Sequence, residues 1–421
     1  MTTKLNMNYI DLFAGAGGLS EGFIRAGFNP IAHVEMDKAA CNTLLTRTVY
    51  HHTHNTPDFA KYISYIKGEG ITREDLYKLL PEYKKDSVIN LPIGDDTNPE
   101  IFKQIDKLKG SQAVDLIIGG PPCQAYSLAG RSRDKNKMKD DPRNYLFVQY
   151  AKYLEYFQPR YFVFENVLGL LSAKKEDGTR YFDEMEALFR SIGYETEHQI
   201  LEAKEYGVLQ NRKRIILIGR RGIETGFYPK FEKWNPNVTV SEVLNDLKPI
   251  KAGTGNFFAT PYNEYSGEYL FKSHIRNGLD FTTQHIARPN TEQDKEIYRI
   301  AVTKWNKGER LDYNELPERL KTHNNTHSFI DRFKVVPANL SVSQTVVAHI
   351  ARDGHYYIHP DIEQNRSLSP REAARLQSFP DDYYFEGMND KPSRTSAFKQ
   401  IGNAVPPLMA DKIASKLKEL L

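Results

Sequence analysis

Cysteine is almost missing from this chain: Cys41 and Cys123 are the only two in 421 residues. Two thiols cannot make a disulfide framework, and without a C-x-x-C pair they do not suggest zinc. Long apolar runs are missing as well. No stretch approaches the roughly 18 uncharged residues of a membrane helix, and Met1 to Ile10 is too short and too polar for a secretory signal. There is no marked excess of either charge: 57 basic and 54 acidic side chains leave a net of +3. A surface for a polyanion must therefore come from local arrangement rather than bulk charge. The expectation is a soluble cytoplasmic protein with no membrane partner. Hydrophobic residues at 40% and aromatics at 12% exclude global disorder, and the length suggests two domains, or three.

Short β-rich apolar runs alternate with longer helical stretches in the first half. Tyr9 to Phe13, Asn29 to Glu35, Val114 to Ile118, Tyr161 to Phe164 and Arg214 to Ile218 read as strands. Asn144 to Phe157, with its aromatic stripe, reads as a helix packed on them. This rhythm predicts an α/β fold built on a parallel sheet with helices on both faces. It stops near residue 222. Residues 224–345 carry 16 basic and 15 acidic side chains and no βα alternation, which predicts a second, irregular domain. Ser369-Pro-Arg-Glu372 reads as a capped helix start, and a final helix is expected over about 408–420. Residues 38–93 hold a polar, helical-looking stretch of no legible purpose.

Two local features carry chemistry. Ala14-Gly-Ala-Gly-Gly18 turns a strand into a helix, the geometry that lets backbone approach a nucleotide. Glu35 ends the next strand, about 20 residues after Gly15, where a carboxylate can hold ribose hydroxyls. Ser20 stands where a dinucleotide motif needs its third glycine, and no P-loop lysine is present, so a nucleoside ligand without pyrophosphate fits better. The second feature is Gly119-Gly-Pro-Pro-Cys123, a rigid loop directly after a buried strand. A thiol there faces the crevice of an open sheet. Cys41 sits among Ala39, Ala40, Leu44 and Leu45 and is expected in the core. The histidines His51, His52, His54, His323 and His327 are expected in loops.

With further segments these residues resemble the cytosine-5 DNA methyltransferase family, of the bacterial restriction-modification type. Asp11 to Gly18 is similar to its cofactor motif, Glu35-Met36 to its ribose-binding acid and Gly94-Asp95 to its adenine-binding position. Gly120-Pro-Pro-Cys-Gln124 is similar to the nucleophile motif and Glu165-Asn-Val167 to the second catalytic motif. Gln210-Asn-Arg212-Lys-Arg214, Arg371 to Gln377 and Gln400 to Pro407 resemble the later ones. The departures are the long 38–93 stretch and Asp96 in an apolar slot.

The resemblance implies a Rossmann-like S-adenosylmethionine-dependent methyltransferase sheet. Residues 1–221 plus 386–421 would form a discontinuous catalytic domain, and 222–385 a target-recognition domain that reads double-stranded DNA. It implies that Cys123 attacks carbon 6 of a flipped-out cytosine. Glu165 would contact ring nitrogen 3 and the amino group, Arg212 and Arg214 would lie together near the base and phosphate, and Asn166 would orient the Pro122 loop. Phe13, Ala14, Gly15, Gly17, Glu35, Met36, Asp95, Pro122, Leu146, Asn403 and Val405 would surround the cofactor, with no metal. Arg131, Arg133, Lys135 and Lys137 are candidates for phosphate contacts. A monomer is expected, associated with the nucleoid through DNA, alongside a cognate endonuclease that acts on the same site without a stable complex. The same chemistry on structured RNA, a non-enzymatic DNA-binding role and a nicotinamide-dependent enzyme are the competing readings.

Overall fold

A computed structural model describes residues 7–122, 145–265, 267–321, 323–327 and 330–421. Cys123, Arg131, Arg133, Lys135 and Lys137 lie outside the described residues. Among those described, no helix is long and apolar enough to cross a membrane.

The apolar runs form one sheet. Its strands are β1 (Asn8–Leu12), β2 (Asn29–Val34), β3 (Val88–Ile89), β4 (Leu116–Gly119), β5 (Tyr161–Asn166), β6 (Tyr194–Glu202) and β7 (Lys213–Arg221). They lie in the order β3-β2-β1-β4-β5-β7-β6. The pairs along β3-β2-β1-β4-β5 are parallel, as the alternating pattern predicts. The exception is β7, which runs antiparallel to both β5 and β6. The reason is loop length: only residues 203–212, with one short 3-10 turn, join β6 to β7, and a parallel return needs a longer crossover.

Helices cover both faces. They include α1 (Gly18–Arg25), α2 (Lys38–Thr53), α3 (Phe59–Lys67), α4 (Arg73–Tyr77), α5 (Glu82–Asp86), α6 (Asn98–Lys109) and α7 (Leu146–Phe157). Later come α8 (Gly169–Ser172), α9 (Tyr181–Ser191), α10 (Tyr269–Lys272), α11 (Glu292–Asn306), α12 (Pro370–Leu376), α13 (Arg394–Asn403) and α14 (Pro407–Leu420). Period-two alternation sends Ile10 and Leu12 to one face with Phe147, Tyr150 and Leu154 of α7. Tyr9 goes to the other face with Phe23 of α1 and Met409 and Ile413 of α14. The predicted cap on α12 is present: Ser369 accepts from the Glu372 N–H and Glu372 from the Ser369 N–H.

The C-terminal helix thus lies against the N-terminal one. Their approach requires Gly22, because a Cβ there would strike the backbone of Ala410 and Asp411. A separate core of Ile297, Tyr298, Val302, Phe333 and Ile358 holds the irregular part. A third cluster joins Leu244 and Leu270 of that part to Ala16, Phe398 and Ile401.

Arg366 and Glu372 form a buried ion pair. Arg366 donates to both oxygens of Glu372 at 2.7 Å each, and both side chains are buried. Burial alone would raise the Glu372 carboxyl, but attraction and hydrogen bonds from Arg366 outweigh it and hold the group well below the ordinary carboxylate range.

Two outcomes follow from this packing. Gly22→Ala improves helix propensity yet should destabilise the protein by about 1–3 kcal/mol through overpacking; a thermal melt that rises would contradict the close contact. The Glu372 carboxylate contributes stability that is complete above the unfolded carboxyl pKa of about 4.3 and is lost as pH falls toward its depressed folded value. Glu372→Gln should therefore be less stable at pH 7 and lose less on acidification, and parallel urea curves at pH 7 and pH 3 for the two proteins would refute this.

Candidate functional site

The glycine turn leaves β1 at Leu12. Phe13, Gly15 and Gly17 take φ values of 56°, 54° and 78°, the left-handed region that favours glycine. Gly17 has no room for a side chain, since a Cβ would lie 2.8 Å from Leu44 Cδ2, whereas Gly15 faces open space. The turn is walled on one side and open above Gly15. Glu35 braces it: one carboxylate oxygen accepts from the Gly15 N–H at 2.8 Å and the other from the Asp37 N–H at 2.7 Å. Burial raises the Glu35 carboxyl above its ordinary value, with these donors opposing.

Met36, next in the chain, is 67% exposed, a large apolar side chain left in water beside the half-buried Glu35. Asn90 fixes that corner by donating to the carbonyls of Glu35 and Met36 at 3.1 and 3.0 Å. Asp95 is exposed on the neighbouring loop, ion-paired to Lys152 and accepting from Gln149 at 3.0 Å; the Lys152 hydrogen bond holds its carboxyl low. Leu146 opens α7 and, like Pro122, is half-buried. The chain end returns here. The Val405 carbonyl sits where a Gly18 Cβ would be, Asn403 is exposed at the end of α13, and Tyr383 donates to the Ala16 carbonyl.

The sequence places Asp11 at the start of the cofactor motif but gives it no role of its own. Asp11 is buried and its Oδ2 has no partner among the described residues. Burial, with the nearby Glu35 charge, raises its carboxyl well above the ordinary value. A lone acid inside an apolar strand was the available signal.

The second half of the site lies at the end of β5. Because β7 is antiparallel, its first residues stand beside the last of β5, with Ile215 opposite Asn166. Arg214 Nε therefore reaches Glu165 Oε1 at 2.6 Å, with both side chains largely buried. The β4 loop crosses the same carboxylate: a Cβ on Gly120 would lie 2.5 Å from Glu165 Oε2. Asn166 is buried, donates to the Pro121 carbonyl at 3.3 Å and accepts from the Val167 N–H at 2.9 Å. Glu165, Asn166 and Arg214 thus surround Gly120 and Pro121, immediately before Pro122. The position of Cys123 falls outside the described residues.

Arg212, which the resemblance implies would lie with Arg214 near the base and phosphate, has its described partners elsewhere. Arg212 is fully buried, and its guanidinium donates to the carbonyls of Val346 and Ala404 at 2.8 Å each and of Gly402 at 3.4 Å. Two of the histidines differ as well, while His54, His323 and His327 lie outside helices and strands as expected. His51 and His52 lie on α2 rather than in a loop, and His51 Nε2 is 3.0 Å from Glu21 Oε2. Glu21 in turn binds Arg47, which reaches Asp382 at 2.9 Å. Cys41 is buried as expected and donates to the Glu35 carbonyl at 3.2 Å.

Comparison with known proteins fits this arrangement. The sequence profile of C-5 cytosine-specific DNA methylases matches residues 7–67 and 80–419. The type II methyltransferase M.Bpa9945I of Bacillus paralicheniformis is 41% identical, over 99% of each chain. The type II methyltransferase M.DdeI of Desulfomicrobium norvegicum is 32% identical over 98% of this chain and 88% of its own. Among solved structures, a candidate DNA modification methyltransferase from an E. coli prophage superposes with a TM-score of 0.62 at 23% identity, covering 99% of both chains, which supports the fold. With both halves of the site on one sheet edge and the profile spanning nearly the whole length, the chain belongs to the C-5 cytosine-specific DNA methylase family.

Proposed function

We propose that this DNA cytosine methyltransferase moves a methyl group from S-adenosylmethionine to carbon 5 of a cytosine swung out of duplex DNA, through a covalent bond to Cys123, as the modification half of a restriction-modification system. The observation that carries the reading is the Glu165–Arg214 pair beneath Gly120, at the root of the loop that leads into Cys123. It shares the carboxyl edge of the sheet with the open glycine turn, the place where doubly wound sheets bind ligands.

The cofactor fits the residues present. Glu35 suits the ribose hydroxyls, the exposed Met36 gives an adenine ring an apolar surface, and Asp95 suits its amino group. Phe13 and the backbone of Ala14, Gly15 and Gly17 line the turn, with Pro122 and Leu146 beside it and Asn403 and Val405 at the methionine end. The open space above Gly15 and the Asp11 oxygen, without a partner among the described residues, are what a polar ligand would fill. When bound, S-adenosylmethionine supplies a methyl group on a sulfonium, a strong electrophile that needs no metal.

Cytosine carbon 5 is a poor nucleophile until a thiolate adds at carbon 6. Cys123 supplies that thiolate. Addition places negative charge on the ring. Glu165 delivers a proton to ring nitrogen 3 and accepts from the amino group, and the Arg214 guanidinium stabilises the carboxylate that this leaves. Asn166 holds the Pro121 carbonyl and so the loop's approach. After transfer a base, for which water suffices, takes the carbon 5 proton, the carbon 5–carbon 6 double bond re-forms and the Cys123 thiolate leaves. A base within the duplex cannot reach this edge, so it must leave the stack at a cost of a few kcal/mol. Residues 222–385 read the sequence, and phosphate contacts contribute affinity.

Cys123→Ser should abolish methylation while duplex binding persists, and DNA carrying 5-fluorocytosine should trap wild type as a denaturation-resistant adduct. Turnover by the serine variant, or no adduct under turnover conditions, would sink the mechanism. Gly120→Ala should displace the Glu165 carboxylate and lower kcat on the order of 100-fold with the fold intact; near-normal kcat would show that this contact does not govern the chemistry.

A further inference from the structure

Residues 210–212 gather three segments that are far apart in the chain. Gln210 is buried; it accepts from the Val346 N–H at 2.9 Å and donates to the Leu376 carbonyl at 2.9 Å. The Asn211 N–H donates to the Ser343 carbonyl at 2.9 Å. Arg212 carries the contact furthest, to Val346 on one side and to Gly402 and Ala404 on the other. The last two carbonyls flank Asn403. The two flanking segments also touch each other, since a Cβ on Gly402 would strike the backbone of Val347 and Ala348. A planar guanidinium can serve several acceptors at once, and charge-assisted bonds to carbonyls are stronger than neutral ones.

We infer that Arg212 is a positioning residue that clamps the Asn403–Val405 segment and the Val346 segment to the edge carrying Arg214, so that the cofactor site and the DNA-reading region are set by one side chain. The inference rests on the function proposed above. It gives Arg212 and Arg214 different work. Arg214 acts beside the reacting base. Arg212 touches no substrate and acts through backbone that closes over the methionine end of the cofactor and supports the target domain.

The test uses the full-length enzyme, with S-adenosylhomocysteine as the binding probe. Arg212→Lys should raise its Kd, and the KM for S-adenosylmethionine, by about tenfold or more, with kcat changed far less. Arg212→Met should be worse than the lysine variant, which retains a donor. Combined with Asn403→Ala, the effect on Kd should be less than additive, because both act through one segment. A purely structural arginine would lower the melting temperature and leave the Kd of the folded fraction unchanged. A base-contacting arginine would lower kcat with Kd intact. Either result overturns the inference. If the variants do not fold, hydrogen exchange on wild type decides the matter. Adding S-adenosylhomocysteine should slow exchange at residues 344–348 as well as at 402–405, and slowing confined to 402–405 overturns the clamp. Wild type that binds no S-adenosylhomocysteine would overturn the functional reading itself, an outcome distinct from a binding-competent wild type with no clamp.

Discussion

A carboxylate at the bottom of a glycine loop, largely shut off from water, needs a cation beside it, and here the direction of one strand supplies it. Had β7 run parallel to β5, its first residues would lie at the opposite edge of the sheet and Glu165 would face the loop unpaired. Removing one partner of such a pair leaves an uncompensated charge, which costs far more than the pair itself contributes. The short 203–212 connection forces the reversal, and the reversal places Arg214 against Glu165. The loop then settles over the carboxylate, where only glycine fits at residue 120. The order of cause is connection length, strand direction, ion pair, loop.

The same edge depends on the far end of the chain. The α1 and α14 helices meet so closely that Gly22 admits no side chain, and the Val405 carbonyl just before α14 excludes one at Gly18. That brings Val405 to the glycine turn, where Tyr383 also binds the Ala16 carbonyl. A site assembled from both ends of a chain cannot form until the whole catalytic part has closed. The buried charges along the seam, Glu21 with Arg47 and Asp382, make that closure selective, because a misplaced approach would strand them unpaired.

Much of this was legible in the residues. The glycine turn, the α7 aromatic stripe, the Ser369–Glu372 cap and the returning C-terminal helix were all readable, because each depends on local periodicity or capping chemistry. Strand direction was not, since Arg214 to Ile218 reads the same in either sense and only its neighbours decide. Two-residue β3 carries too little pattern to be seen. Arg212 and Arg214 part company because alternation along a strand fixes which face a side chain takes only once the strand has begun, and Arg212 lies just outside it. His51 looked like a loop residue because its partner, Glu21, is 30 positions away.

The polar stretch between α2 and β3 is where long-range contact matters most. Its polar composition shows no legible purpose, yet Tyr62 and Ile66 of α3 and Leu76 of α4 are buried with Phe281 and Tyr384. Gly68 ends α3 in a left-handed turn, and a Cβ there would press on the Phe258 ring. Tyr62 donates to the Asp382 carbonyl at 2.6 Å, Tyr65 to Glu386 at 2.7 Å, and Arg73 reaches Asp390 at 2.6 Å. These partners lie where the chain passes from the irregular part back toward the catalytic sheet. A few apolar side chains spaced along otherwise polar helices suffice for this, because the surface they cover is narrow and its rim is satisfied by hydroxyls and a guanidinium. The insertion thus braces the junction from the β3 edge, opposite the side held by residues 210–212, so that the return segment is fixed from both directions.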